Sequence, residues 1–391
     1  MKRAMMLMLC IGALLAKDLP LSEQKTELLK LKRQKIEEDA DIQKRSWVSP
    51  LIFSLSSSRS KDTSDMQSET NSAGLEWSQD LFRSGGIYYT IEQADALRQA
   101  NLLGIDIEEA GYLKQVYTLK SQIERNTLKR KQSELTLKNR DIDLFIIKAK
   151  YKAGSTDISE LNRATIDRDT ARTALIVIKN TLRNEVYELK KLVGQEKSDT
   201  VFLPDVPLIA KSQYLKRQLE LLQYESKDKS DDAAWKITRA SYLPRLTLNG
   251  SYGYSDYQSD LIDYSGDNYR YGAVLSIPLD VNTKATVESS RLQLLQTRTA
   301  QLDRRVELQQ EYDKRLFTIT DYEEKIAVAE EMISMYDELY EFTDNQVKAG
   351  FKSAYELESL GNSVQIQKYE KEIQRYNIVI EKISLYFDTK Q

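Results

Sequence analysis

Apolar residues along this chain recur with two different periods, and the two alternate in blocks. Ile319, Tyr322, Ile326, Ala329, Ile333, Tyr336 and Tyr340 step by three and four, and so do Ile366, Tyr369, Ile373, Tyr376, Ile380, Ile383 and Phe387. Leu175, Ile178, Leu182, Val186, Leu189 and Val193 follow the same rule earlier in the chain. That spacing keeps one narrow stripe of a helix apolar and predicts helices lying side by side as a coiled coil. Two other regions alternate at every second residue. Leu51, Phe53 and Leu55 interleave with Ile52, Ser54 and Ser56, and Ala73, Leu75, Trp77 and Leu81 with Gly74, Glu76, Ser78 and Asp80. Leu246, Leu248, Tyr252 and Tyr254, then Tyr269, Tyr271, Ala273, Leu275 and Ile277, repeat the pattern. Period two predicts strands with one apolar face, in β-hairpins over about 48–83 and 243–279. The polar stretches 59–72 and 256–268 read as the loops of those hairpins.

Between these blocks the chain has few breakers. Helices are expected over Leu21–Arg45, Ile87–Ala153, from Gly154 to about Val193, over Leu208–Ala240 and over Thr283–Ala349. Each of the two longest would measure roughly 100 Å at about 1.5 Å per residue. Gly194 to Pro207, with Pro204 and Pro207, reads as a linker.

The tripeptide Lys152-Ala153-Gly154 returns as Lys348-Ala349-Gly350, and Glu160-Leu161 returns as Glu356-Leu357, all at an offset of 196, about half the chain. A glycine between two long helical patterns supplies the positive φ that stops a helix. Two copies at half-chain spacing imply one αα-hairpin made twice. The expected organisation is a segment 1–16, a first repeat 17–198 turning at Gly154, and a second repeat 199–391 turning at Gly350. In each repeat the order is helix, strand, loop, strand, long helix, glycine turn, returning helix.

Composition sharpens this. Charged residues make up 30% of the 391, with only 14 glycines and 6 prolines, which suits long helices. The net charge of −3 offers no basic footprint for nucleic acid. Lys2 and Arg3 precede an apolar run from Ala4 to Leu15 and the small Ala16, the form of a signal peptide. Cys10, the one cysteine, lies in it, and the large Leu9 before it argues against a lipid anchor there. With no histidine in the chain, imidazole catalysis and thiolate zinc sites are excluded once that leader is cut, and no cofactor is expected. No later stretch is apolar enough for a transmembrane helix.

Four amphipathic strands do not close a sheet, and an open edge invites aggregation. A soluble sandwich would need a second sheet that the chain does not supply. In a membrane the apolar face meets lipid, with Trp77, Tyr252, Tyr254, Tyr269 and Tyr271 at the interfaces. Backbone groups in lipid must then all be paired, so oligomerisation has to close the sheet: three chains give twelve strands.

The linear order resembles the TolC-like outer membrane efflux protein family. The resemblance rests on Tyr242-Leu243-Pro244-Arg245-Leu246-Thr247-Leu248-Asn249-Gly250-Ser251-Tyr252, on Leu275-Ser276-Ile277-Pro278-Leu279, and on Lys348-Ala349-Gly350 with Glu356. Trp77-Ser78-Gln79-Asp80-Leu81-Phe82 and Lys152-Ala153-Gly154 with Glu160 echo them. It implies an α+β fold of long antiparallel helices in a coiled-coil α-barrel, plus four strands per chain completing a trimeric twelve-stranded transmembrane β-barrel. It further implies an outer-membrane location in a Gram-negative bacterium, reaching into the periplasm. The implied partners are two further copies, outer-membrane lipid, a periplasmic adaptor (membrane fusion) protein that touches the glycine turns, and an inner-membrane transporter of RND or ABC type. Family members often narrow the tunnel with a carboxylate six residues past the glycine, which falls on Glu160 and Glu356. A second acid nine residues past the later glycine is Ser359 here, with Glu358 one place away, and a basic residue often arginine is Lys352. Asp157 and Lys352 are candidates for ion pairing that holds the hairpins closed. The stretch between leader and first strand is short, so the N-terminal equatorial helices are expected to be trimmed.

The expected function is therefore a passive exit duct of a tripartite efflux pump or type I secretion system, without catalytic residues. A periplasmic coiled-coil structural or adaptor protein is the alternative. A glycosidase using paired carboxylates would need a concave pocket that extended hairpins do not offer.

Overall fold

A computed structural model describes residues 20–61, 66–194, 203 and 205–389. The expected leader 1–16, Cys10 within it and Pro204 of the linker lie outside the described residues. The elements are α1 (Glu23–Arg45), β1 (Ile52–Lys61), β2 (Gln67–Phe82), α2 (Gly86–Lys152), α3 (Ile158–Val193), α4 (Lys211–Arg217), α5 (Leu219–Ala240), β3 (Arg245–Ser259), β4 (Asp263–Ser276), α6 (Thr283–Lys348) and α7 (Ala354–Phe387). They fall into two compact units. Of the described residues, one holds those up to Lys30 with those of 106–219 and 306–389, and the other holds those of 31–105 and 220–305.

In the first unit, side-chain bonds define which helices are neighbours. Arg168 of α3 reaches Asp141 of α2 at 3.0 Å, and Asn126 of α2 donates to Glu185 of α3. Lys138 of α2 pairs with Glu358 of α7 at 2.5 Å, and Gln132 of α2 donates to Glu370 of α7 at 2.9 Å. Lys371 of α7 pairs with Glu330 of α6 at 2.7 Å, and Arg315 of α6 with Glu381 of α7 at 2.7 Å. The order is therefore α3–α2–α7–α6, with α2 and α7 inside and α3 and α6 outside. The three-four seams behave accordingly: Leu175, Leu189, Ile319, Ala329, Ile373 and Ile383 are buried. Ile383 and Phe387 pack with Val206, and Tyr117 stacks on Phe387 at 5.2 Å.

The single helix expected over Leu208–Ala240 is broken. Gln218 adopts an extended conformation between α4 and α5 and bridges to Thr389, and the Leu219 amide donates to the Asp388 carbonyl at 3.1 Å. The break repeats a junction of the first half, where the Ser22 amide donates to the Leu192 carbonyl at 3.0 Å. The carbonyls are 196 residues apart and the amides 197, so the internal duplication is present in these contacts as well as in the turns.

The second unit contains one antiparallel sheet in the order β1-β2-β3-β4. Beside it α1 bonds α2 through Arg98–Glu37, α2 bonds α5 through the Gln223 amide on the Ala100 carbonyl, and α5 bonds α6 through Arg298–Asp228. The strands run further than the alternating residues suggested. Most of 59–72 and 256–268, expected as loop, is paired strand. Ser56 and Ser72, and Ser60 and Ser68, share hydroxyl hydrogen bonds across β1 and β2, and Arg59 pairs with Glu69 at 2.6 Å. These polar cross-strand pairs hold the hairpin where no apolar face is present to be read.

Candidate functional site

Two sets of residues carry the functional expectations: the glycine turns of the first unit and the strand faces of the second. At the first turn the Gly154 amide donates to the Tyr151 carbonyl at 3.0 Å and the Ser155 amide to the Lys150 carbonyl at 3.0 Å. At the second, Gly350 donates to Val347 at 3.0 Å and Phe351 to Gln346 at 2.9 Å. This paired closure satisfies the last carbonyls of α2 and α6 and needs a left-handed residue at the glycine. The φ angles are +71° at Gly154 and +80° at Gly350. A Cβ at either would meet nothing within 4 Å, so conformation, not space, calls for glycine.

The returning helices start alike too. Asp157 caps α3 by accepting from the Glu160 amide at 2.9 Å, and Ser353 caps α7 by accepting from the Glu356 amide at 3.4 Å. Glu160 and Glu356 thus occupy the third position of each helix, where a carboxylate also favours the positive end of the helix dipole. Both are exposed. Asp157, expected in an ion pair, is used as a cap, and within the described residues neither Asp157 nor Lys352 forms an ion pair. Glu358 does: Lys138 ties it to α2. Lys152, Ala153, Ala349 and Lys348 are exposed around the turns, and the Asp344 carboxylate at 2.5 Å holds the Lys348 ammonium above its ordinary range, mainly through that hydrogen bond.

Sequence reasoning missed the groups that fasten one turn and decorate it. Asn139 of α2 donates to the Ser359 carbonyl and the Ser363 hydroxyl, and accepts from Asn362, so one amide joins α2 to α7. Phe145 of α2 lies against Tyr355 of α7 at 5.1 Å. Phe351, directly after Gly350, is 83% exposed. Nothing in local sequence flags Asn139 or Phe145, because each depends on a neighbour some 200 residues away.

In the second unit the register sets which side chains share a face. Phe53, Leu75 and Tyr252 are in line with Tyr269, and Leu55, Ala73 and Tyr254 fall on the same side, as do Leu248 with Ala273 and Leu246 with Leu275. A bulge between Asp80 and Phe82 puts Phe82, where Leu81 was expected, opposite Leu246. The apolar face expected from alternation is therefore continuous over four strands. It is also uncovered within the chain: Phe53, Leu55, Trp77, Tyr252, Tyr254, Tyr269, Tyr271 and Leu275 are all exposed. The opposite face carries Ser54, Ser56, Thr70, Ser72, Ser78, Thr247, Asn249 and Ser251. β1 and β4 each have a free edge.

Helices long enough to form staves, a sheet with free edges, and one apolar and one polar sheet face together define a channel-forming chain. The model of the outer membrane efflux protein family matches residues 29–195 and 210–386, which is most of the sequence in two successive copies. The chain belongs to this family of outer-membrane channels, which are passive conduits and not enzymes. Solved structures with the same fold include the outer membrane protein VceC of Vibrio cholerae, at TM-score 0.73 and 14% identity, covering 93% of this chain and 92% of that one. The CmeC outer membrane channel of Campylobacter jejuni gives TM-score 0.73 at 16% identity, over 95% of this chain and 84% of its own. The open state of the MtrE outer membrane channel of Neisseria gonorrhoeae gives TM-score 0.64 at 15% identity, over 95% and 87%. No curated protein sequence matches the chain significantly.

Proposed function

We propose that three copies of this chain form an exit duct of a Gram-negative bacterium, with the strands in the outer membrane and the helices in the periplasm. A periplasmic adaptor meets the two glycine turns, and an inner-membrane pump of RND or ABC type drives export of small molecules or secreted polypeptide through the duct. The observation that carries this is a mismatch between repeats. Gln132 and Asn139 on α2 bond to α7 inside the chain. Their counterparts 196 residues on are Val328 and Met335 on α6, both exposed. On the other outer helix, Ile166 and Val177 of α3 are exposed and correspond to Asn362 and Ile373 of α7, which are packed. The outer faces thus have the geometry of an inner contact without its partner, and the α3 of a neighbouring copy supplies one for α6.

The sheet argues in the same direction. Its apolar band from Leu246 to Tyr254 is nine residues, roughly 30 Å along a strand at about 3.4 Å each, or about 23 Å of height at a ~40° tilt. An outer-membrane barrel needs an apolar band of ~25 Å. A soluble adaptor has no use for so large an uncovered apolar face.

Within this duct the Glu356 ring, with Glu160 close by, forms the narrowing, because carboxylates gathered about a threefold axis attract cations. Glu358 belongs to the same ring by position, with its charge balanced by Lys138. Asp157 and Lys352 act across the boundary between copies. Phe351 joins Lys348, Ala349 and Gly350 as adaptor-facing surface. Single-channel recording of Glu356→Gln tests the narrowing: loss of cation preference and of divalent block is expected, and wild-type behaviour removes Glu356 from the role.

A further inference from the structure

The polar face of the sheet is nearly free of charge. Its positions are mostly serine, threonine, asparagine and glycine, and its charged residues are Glu76, Asp80, Arg245 and Arg270. Two of these are already engaged. Asp80 accepts from Arg83 and Thr247, and Arg245 donates to Ser276. Glu76 and Arg270 are different: both are exposed, and among the described residues neither side chain has a hydrogen-bond or ion-pair partner.

They are also in line. Ile52 pairs with Glu76, Glu76 with Ser251 and Ser251 with Arg270, so a single rung crosses all four strands with an acid on β2 and a base on β4. Their backbones are two strand spacings, about 9.6 Å, apart, and the two side chains form no ion pair with each other. Between them is an open depression of about 420 Å³, lined by Ile52, Glu76, Ser78, Asn249, Ser251 and Arg270. An acid and a base held apart on a hydroxyl-rich wall are hydrated, and their charges are available to whatever passes.

We propose that Glu76 and Arg270 form a charged belt on the lumen wall of the strand barrel, a second checkpoint that sorts solutes by charge distribution. This rests on the reading above, in which the polar face lines the lumen. Three copies place three carboxylates and three guanidiniums alternately around the pore. The belt has no net charge, so it favours neither small cations nor small anions. A zwitterionic or strongly dipolar solute meets both signs in turn and is retained by them. The acidic narrowing at Glu356 prefers cations as such, whereas the belt reads the separation of charge.

Reversal potentials of the purified full-length channel in planar bilayers, across a potassium chloride gradient, test this. Arg270→Gln leaves three unbalanced carboxylates and raises the cation-to-anion permeability ratio about two- to fourfold, from charges ~10 Å away screened at ~0.1 M salt. Glu76→Gln lowers it by a similar factor, and the exchange Glu76→Arg with Arg270→Glu restores the wild-type ratio. If both single variants keep the wild-type potential while Glu356→Gln still changes it, the belt is wrong and the duct stands. If no protein conducts, wild type included, the belt falls together with the duct.

Discussion

Helices α2 and α6 are one element made twice, 67 and 66 residues long, each closed by the same glycine turn. Several of their equivalent positions have opposite fates. Ser121 is fully buried, and its counterpart Phe317 is 72% exposed. Asn139 is the centre of a four-residue hydrogen-bond group, and Met335 faces outward, 43% exposed. If burial within one chain were the whole story, the residues would be the other way round, since a phenylalanine gains more from burial than a serine. The inner helix has a polar face because its partner α7 is covalently tethered and brings matching donors and acceptors. The outer helix has an apolar face, the kind that assembles separate molecules by burying surface.

The largest effect is expected from making the outer face unfit for burial. Met335→Asp with Val328→Asp is expected to abolish the proposed trimer and give a monomer of unchanged helix content, because each proposed interface loses two apolar burials worth roughly 1.5–3 kcal/mol apiece and gains uncompensated carboxylates. Sedimentation in detergent, with circular dichroism, checks it. The reverse experiment makes the inner face resemble the outer one. Asn139→Met removes three hydrogen bonds, about 2–3 kcal/mol in net terms, and leaves the Asn362 side-chain amide without its partner. Its thermal transition should fall by several degrees, while a methionine-to-leucine change at 335 leaves the transition where it was. The turns themselves should not tell the halves apart. Gly154→Ala and Gly350→Ala each place a side chain at positive φ, costing about 1–2 kcal/mol, and the two melting curves should shift equally.

How much of this was legible in the sequence follows from how local each signal is. The glycine turns, the three-four seams and the apolar strand face depend on residues within a few places of one another, and they are where the spacing put them. The hairpin ends were not legible: Ser, Asn and Asp in 59–72 and 256–268 read as loop, and only the partner strand across the register makes them strand. The break at Gln218 has no glycine or proline to announce it, and its cause is Thr389, 171 residues later. At the turns, the positions of Glu160 and Glu356 were readable, but the use of Asp157 as a helix cap needed the α3 backbone. Asn139 gave no warning, because an asparagine inside a long helix is ordinarily a solvated one.

We infer that α6 of one copy meets α3 of the next as α2 meets α7 within each. Because Asn139 touches Asn362, the offset of 196 places Met335 against Ile166 of the neighbouring copy. Oxidative cross-linking of Met335→Cys with Ile166→Cys, in a Cys10→Ser background, measures this directly. Covalent species of two and three chains, and none larger, are expected, since the proposed ring closes at three. Monomer alone, or an unlimited ladder, would contradict it.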